Sequence, residues 1–277
     1  MIVSLPYRVF RYTLIVVLGL VIASPLVYLV LRSFMTSKEI QAVPPRLVPE
    51  GLAWENYAFA SEFLTPQVIL NSFIVAFGVV LVQLALALPA AFALAQIPFR
   101  WSKQVMAALV VPMFVPASFT LIPTFVVTFG LGLLNTYAGI ILPIGATISA
   151  GVLLFRQFFV TLPPGLVEAA RLDGASWFRV FWTIMLPLAV PIIVTFSVVT
   201  FLGAWNMFIW PQVIATDPDL AVINVALAPV AGGSSFAYTN PAVSLAGATI
   251  GMLPALLLFV IAQKWLVRGV SAGTGLE

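Results

Sequence analysis

The chain has 277 residues, 62% of them hydrophobic and only 8% charged, with a mean hydropathy of +1.14. Soluble domains carry about 25% charged residues, so this composition excludes a water-soluble fold and points to a polytopic membrane protein. The absence of Cys and His removes disulfides, thiolate metal sites, thiol nucleophiles and the usual neutral-pH titrating group, and the net charge of +3 is scattered over loops rather than gathered into a nucleic-acid-binding patch.

Long apolar runs, rather than short alternating segments, predict an all-α helix bundle and not a barrel. A span needs about 20 mostly apolar residues, and the charge-free intervals place about six. The first is Tyr12 to Leu31, between Arg11 and Arg32. Arg8 and Arg11 ahead of it could mark a secretory signal, but the run is longer than a signal core and Arg32 follows it, so we read an uncleaved helix. The second is centred on Ile69 to Ala95. The interval from Lys103 to Arg156 holds the third and fourth, divided at Gly130-Leu131-Gly132-Leu133-Leu134-Asn135. The fifth is roughly Leu188 to Trp210, and the sixth roughly Pro241 to Trp265. Pro25, Pro89, Pro112, Pro116, Pro123, Pro143, Pro191 and Pro254 fall inside these spans. Bundles tolerate such prolines where neighbours satisfy the freed carbonyls, so kinked packing is the expectation.

Orientation follows from the basic residues. With both termini cytoplasmic, the inside carries Arg8, Arg11, Arg100, Lys103, Arg156, Arg171, Arg179, Lys264 and Arg268, and the outside only Arg32, Lys38 and Arg46. Trp54, Tyr57, Trp210, Tyr238 and Trp265 fall near the expected interfaces, where amphipathic rings belong.

Between the fourth and fifth spans lies a charged island, Glu168-Ala169-Ala170-Arg171-Leu172-Asp173-Gly174-Ala175-Ser176, followed by Leu186-Pro187. Thr161 ahead of Pro163-Pro164 predicts a capped helix start, with Glu168 favoured near that end by the helix dipole. Helical spacing puts Leu166, Ala169, Ala170, Asp173 and Gly174 on one small-residue face, and Asp173-Gly174 reads as the stop. Phe178, Phe181 and Trp182 beside Arg179 form a second amphipathic run. Two readings stay open on these residues: a helix lying flat on the membrane, or a helix docked to another protein. Small residues suit close docking better than burial in lipid.

Glu168-Ala169-Ala170, Gly174 and Leu186-Pro187 resemble the EAA loop of permease subunits of bacterial ABC importers. Phe158-Phe159, Leu162-Pro163, Leu172-Asp173-Gly174-Ala175-Ser176, Trp205-Asn206-Met207-Phe208, Asn71-Ser72, Leu133-Leu134-Asn135-Thr136 and Ile141-Leu142-Pro143 are similar to its carbohydrate-uptake, MalG-type branch. Met207 departs from that pattern, standing where many of these permeases have an acidic residue, and the tail Ser271–Glu277 follows the family ending only loosely.

The resemblance covers nearly the whole chain. It implies one transmembrane domain over 1–277, with a core at 68–265, a cytoplasmic EAA loop at 157–188 containing the coupling helix, and external loops at 33–67 and 214–240. It implies a permease subunit of the bacterial cytoplasmic membrane, forming half of a pathway for a sugar or sugar-like solute. Its expected partners are a second homologous permease, two cytoplasmic ATPases holding ATP and Mg, and an external solute-binding protein. Glu168, Ala169, Ala170, Asp173, Gly174, Leu186 and Pro187 are the implied ATPase-coupling residues. Asn71, Ser72, Trp205, Asn206, Phe208 and Gln212, with Gln83 in the same spans, are the polar and aromatic groups available to a solute. Gly232, Gly233, Ser234 and Ser235 lie in a loop resembling one that reaches the binding protein.

No metal site or bound cofactor is expected in the chain itself. Lys38, Lys103 and Lys264 follow Ser37, Ser102 and Gln263, so no phosphate-binding Gly-Lys-Ser/Thr loop is present. The competing readings are an importer of peptides, amino acids or phosphate, an ion-coupled carrier, and an intramembrane enzyme. The Trp205-Asn206-x-Phe208 and Leu-Asp-Gly-Ala-Ser patterns favour sugars over the first. The spans lack buried carboxylates for the second, and no Gly-x-Ser-x-Gly supports the third.

Overall fold

A computed structural model of the chain describes residues 5–230 and 239–274. Its α-helices are α1 (Leu5–Ser33), α2 (Ser37–Ile40), α3 (Glu55–Phe63), α4 (Pro66–Gln96), α5 (Ser102–Val110), α6 (Ala117–Gly130), α7 (Tyr137–Gly145), α8 (Ser149–Thr161), α9 (Pro164–Leu172), α10 (Trp177–Val180), α11 (Leu186–Leu188), α12 (Val190–Trp205), α13 (Ile209–Ile214), α14 (Ile223–Ala226) and α15 (Pro241–Thr274). The described residues contain no strand. The fold is an all-α membrane helix bundle, as the composition requires.

Among the described residues, three helices are long and apolar enough to cross a membrane unbroken: Val9–Ser33, Pro66–Gln96 and Pro241–Gln263. Three bent pairs pass the same test together, which makes six spans, the number expected, if each pair is one span. They are Ser102–Phe114 with Ala117–Gly130 (106°), Tyr137–Gly145 with Ser149–Thr161 (47°), and Trp177–Leu188 with Val190–Trp205 (74°). Pro25, Pro89 and Pro254 sit inside continuous helices. The sharp bends have other local causes. Val115, ahead of Pro116, is extended (φ −91°, ψ 118°), as the pyrrolidine ring demands of its predecessor. Pro187 and Pro191 lie four apart and each lacks the N–H that would continue the ladder. The chain responds with a π-helical turn at Phe181–Met185, in which Leu186 N–H reaches Phe181 O, and with the bend at Ala189. Beyond the bend, α12 (Val190–Trp205) lies within the fifth span expected at Leu188 to Trp210 and ends at Trp205.

The chain divides into two compact units. One comprises residues 1–65 and 226–253. In it, Ala60 of α3 packs with Val243 and Ala246 of α15, and Asn56 Nδ2 donates to the Ser33 and Met35 carbonyls at 2.8 Å each. The α1 span has none of its length buried. The other unit comprises residues 66–225 and 254–277. Its axis is α4, which contacts α7, α8 and α12. One core joins Ala87, Leu88, Ala91 and Phe92 of α4 to Phe155 and Phe159 of α8, then to Val180, Phe181, Met185 and Phe196. A second joins Val75, Ile140, Trp210 and Ile214. Small residues allow the close approach expected inside a membrane. A Cβ on Gly151 would lie 2.9 Å from the Phe196 ring and 3.0 Å from Ala87 Cβ.

Trp210 is buried in that second core and its indole N–H donates to Ile140 O at 3.2 Å, so it serves packing rather than an interfacial belt. The turn expected at 130–135 is present. Gly132 and Asn135 both adopt positive φ (69° and 53°), and Asn135 Oδ1 accepts from Thr216 N–H (2.8 Å) and Asp217 N–H (3.1 Å). Thr136 then caps α7 by accepting from Gly139 N–H at 3.0 Å.

Candidate functional site

The charged island forms a short helix-turn-helix between the fourth and fifth spans. Its start differs from expectation. Thr161 ends α8, with its hydroxyl donating back to Phe158 O at 2.7 Å. The N-cap of α9 is Pro163, which has no side-chain cap, and Pro164 opens the helix. Glu168 lies beyond the first turn, which holds no acidic residue, so the dipole contributes little to its placement.

The stop matches expectation in detail. Gly174 has φ +81°, and a Cβ there would meet nothing within 4 Å, so glycine is needed for backbone conformation rather than for space. Gly174 N–H donates to Arg171 O (3.1 Å) and Ala175 N–H to Ala170 O (3.0 Å), the paired bonds of a Schellman ending. Arg171 secures the turn from outside: Nη1 donates to Ala175 O at 2.7 Å and the guanidinium lies 4.6 Å from the Trp177 ring centroid. Ser176 opens α10 by accepting from Arg179 N–H at 3.2 Å.

Of the face read off the sequence, Leu166, Ala169, Asp173 and Gly174 are exposed, and only Ala170 turns toward the bundle. Val167 is buried in the main core, and Ala170, Ala175 and Trp177 pack against that core. Glu168, Ala169, Leu172 and Asp173 are exposed, Leu172 at 88%. Ala170 thus seats the helix on the bundle, and the outward surface joins Leu166, Ala169, Asp173 and Gly174 of the expected face to Glu168 and Leu172. The sequence reading had not singled out Leu172 for this surface. Its signal was an apolar side chain at the last helical position, on the side opposite Val167. Phe178 and Trp182 extend the exposed apolar surface at 73% and 52%. Leu186 and Pro187 form α11 immediately after the π-helical turn, and Ala189 N–H reaches both Met185 O and Leu186 O at 3.1 Å.

The groups singled out for a solute divide into two sets. Asn71 is fully buried, its Nδ2 donating to Asp219 O (2.8 Å) and Ala221 O (2.9 Å). Its Oδ1 accepts from Gln67 Nε2 (2.8 Å) and Tyr137 OH (2.6 Å). Ser72 Oγ accepts from Ile223 N–H at 2.8 Å and donates to Val68 O at 3.1 Å. These two residues tie α4 to the 219–223 segment. Trp205 is buried in an aromatic seam with Phe73 (4.9 Å) and Phe201 (5.6 Å). Asn206, Phe208 and Gln212 are exposed around the break between α12 and α13. Gly232, Gly233, Ser234 and Ser235 lie outside the described residues.

Residues 84–272 match the family described as binding-protein-dependent transport system inner membrane component. The chain belongs to that family. It is similar to the sn-glycerol-3-phosphate transport system permease protein UgpE of Yersinia pestis bv. Antiqua, 30% identical over 274 residues and 95% of each chain. It is also similar to UgpE of Brucella abortus, 32% identical over 266 residues, 93% of this chain and 94% of that one. The fold matches a permease chain in the crystal structure of a bacterial ABC transporter involved in import of the acidic polysaccharide alginate. That match has a TM-score of 0.76 at 24% identity and covers 95% of this chain and 99% of that one. The chain is therefore a multi-pass inner-membrane permease of a binding-protein-dependent importer, and its family is one of transporter components rather than enzymes. ATPase and binding-protein partners follow from that membership.

Proposed function

We propose that the chain forms half of the translocation pathway of an ATP-driven importer for a sugar or sugar-like, hydroxyl-rich solute. Its other half is a homologous but different permease. Two cytoplasmic ATPases hold the ATP and Mg, and each grips one permease at its EAA loop. Both termini of this chain face the cytoplasm.

One observation carries the coupling role. A nine-residue helix is anchored to the bundle by Val167 and Ala170, ended by a left-handed glycine, and turns Glu168, Ala169, Leu172 and Asp173 outward. A rigid peg of this kind transmits a push, because Val167 and Ala170 join it to the core that also holds α4 and α8. Closure of the ATPase pair would press two such pegs together and rock the spans between inward- and outward-facing states, a rigid-element transition. Leu186 and Pro187 set the bend through which the push reaches α12.

The substrate class rests on relatives that handle sn-glycerol-3-phosphate and on the Trp205-Asn206-x-Phe208 pattern. Exposed Asn206, Phe208 and Gln212 supply amides and an aromatic face of the kind that polyhydroxylated solutes use. Gly232, Gly233, Ser234 and Ser235 are proposed to meet the binding protein. The test is reconstitution with the partner subunits encoded nearby, followed by ATPase and uptake assays over a panel of sugars, polyols and their phosphates. Stimulation by a solute-loaded binding protein is expected. If no member of the panel stimulates hydrolysis while a peptide or amino acid does, the carbohydrate reading is overturned.

A further inference from the structure

The 47° bend in the fourth span has no proline at its vertex. Pro143 lies before it, and the vertex is Ala146-Thr147-Ile148. There Ile148 N–H turns to Ala146 O at 2.9 Å, and Ile144 O accepts instead from Thr147 N–H (3.1 Å) and the Thr147 hydroxyl (2.5 Å). Thr147 O is left at the vertex, and a carbonyl released inside a membrane needs a donor from elsewhere. Gln83 of α4, a buried side chain, supplies one. Its Nε2 lies 3.2 Å from Ile144 O, 3.3 Å from Thr147 Oγ1 and 3.4 Å from Thr147 O. Its Oε1 accepts from Thr200 Oγ1 of α12 at 3.3 Å.

This geometry differs from an ordinary interhelical tie. An amide nitrogen has two hydrogens, and here they face three acceptors, all at the long end of hydrogen-bond distance. With more acceptors in reach than hydrogens, small changes in the bend exchange one acceptor for another without stranding the donor. The surroundings permit such movement on only one side. Gly145 packs directly on Val82, with a Cβ there lying 2.7 Å from Val82 Cβ, while Ala146 and Thr147 are exposed.

We propose that residues 146–148 are a hinge in the fourth span, and that Gln83 is the positioning residue that holds the released Thr147 carbonyl as the angle changes during the transport cycle. This rests on the importer reading above. Because the chain has no Cys or His, no native side chain of those types complicates labelling controls.

The experiment is hydrogen exchange on the complete transporter in lipid nanodiscs, nucleotide-free and vanadate-trapped, for wild type, Gln83→Met and Thr200→Val. Peptides spanning 142–152 are expected to differ between the two nucleotide states in wild type. In Gln83→Met their exchange is expected to rise about tenfold and lose its nucleotide dependence, with uptake per ATP falling several-fold and the KM for loaded binding protein unchanged. Thr200→Val keeps every bond to the hinge and is expected to match wild type. Peptides spanning 164–176 report the coupling segment independently. If they respond to nucleotide and 142–152 does not, the hinge is refuted while the importer reading stands. If neither responds and no uptake occurs, the importer reading itself has failed. Equal loss in Gln83→Met and Thr200→Val would reduce Gln83 to a static interhelical tie and overturn the proposal.

Discussion

Asn71 offers the clearest separation of a structural role from a solute-binding one. Substituting Leu keeps the volume similar and suits the membrane, but removes four hydrogen bonds. Three reach distant parts of the chain: to Asp219 O, Ala221 O and Tyr137 OH. Interhelical hydrogen bonds in membrane proteins average about 0.6 kcal/mol, and intramolecular bonds in general about 0.5–1.5 kcal/mol. Three of them, with two carbonyls and a hydroxyl left unpartnered, amount to about 2–4 kcal/mol. Tyr137→Phe removes one of the three and is expected to cost about a third as much. The assay is thermal unfolding of the purified transporter in detergent, paired with solute uptake. Asn71→Leu is expected to lower the apparent midpoint by on the order of 5–10 °C, with a smaller drop for Tyr137→Phe and an unchanged solute KM in both. A wild-type midpoint combined with a raised KM in Asn71→Leu would refute this reasoning and return Asn71 to the pathway.

Three further outcomes are expected. Gly174→Ala places a Cβ in the left-handed region at a cost of about 1–2 kcal/mol and is expected to impair coupling. Gly174→Asn, which tolerates that conformation better, is expected to retain most of it, read as uptake per ATP; equal loss in both would show that a side chain of any kind blocks docking. Ala169→Glu is expected to abolish ATPase co-purification with normal membrane insertion, whereas Ala170→Glu buries a charge against the core and lowers protein yield as well; the reverse pattern would refute the inward placement of Ala170. Glu39 is held below the usual carboxylate range, first by the Thr36 backbone N–H and then by its hydroxyl. A depressed carboxylate stabilises the folded form above its ordinary pKa and loses that contribution as pH falls through the lowered value. The capping box of α2 is therefore expected to persist at neutral pH and to open only at pH below the ordinary carboxylate range, seen by hydroxyl-radical footprinting of residues 37–41 and abolished as a transition by Glu39→Gln.

Much of this was legible in the sequence because membranes impose few alternatives. Apolar runs bounded by charges fixed the number of spans, since backbone groups in lipid must bond within their own helix. Asp173-Gly174 fixed the end of α9, because only a residue free of Cβ strain closes a helix that way at low cost. The prolines were visible but their consequences were not. Pro89 sits in a continuous helix, whereas Pro116 accompanies a 106° bend. Whether neighbours re-satisfy the freed carbonyls depends on residues far along the chain.

The same limit applied to the faces. The periodicity of α9 showed that one side is small, but not which side the bundle would claim, and Val167 with Ala170 decided it. The motif Asn71-Ser72 announced polar groups in a span. Only the arrival of Asp219, Ala221 and Ile223 showed that those groups close the fold. The sequence by itself determined the class of protein, the apolar spans and the helix end at Asp173-Gly174, all of which depend on local composition. The tertiary structure decided where each helix bends, which face of α9 is outward and which polar residues remain exposed, because those depend on what each group meets across the bundle.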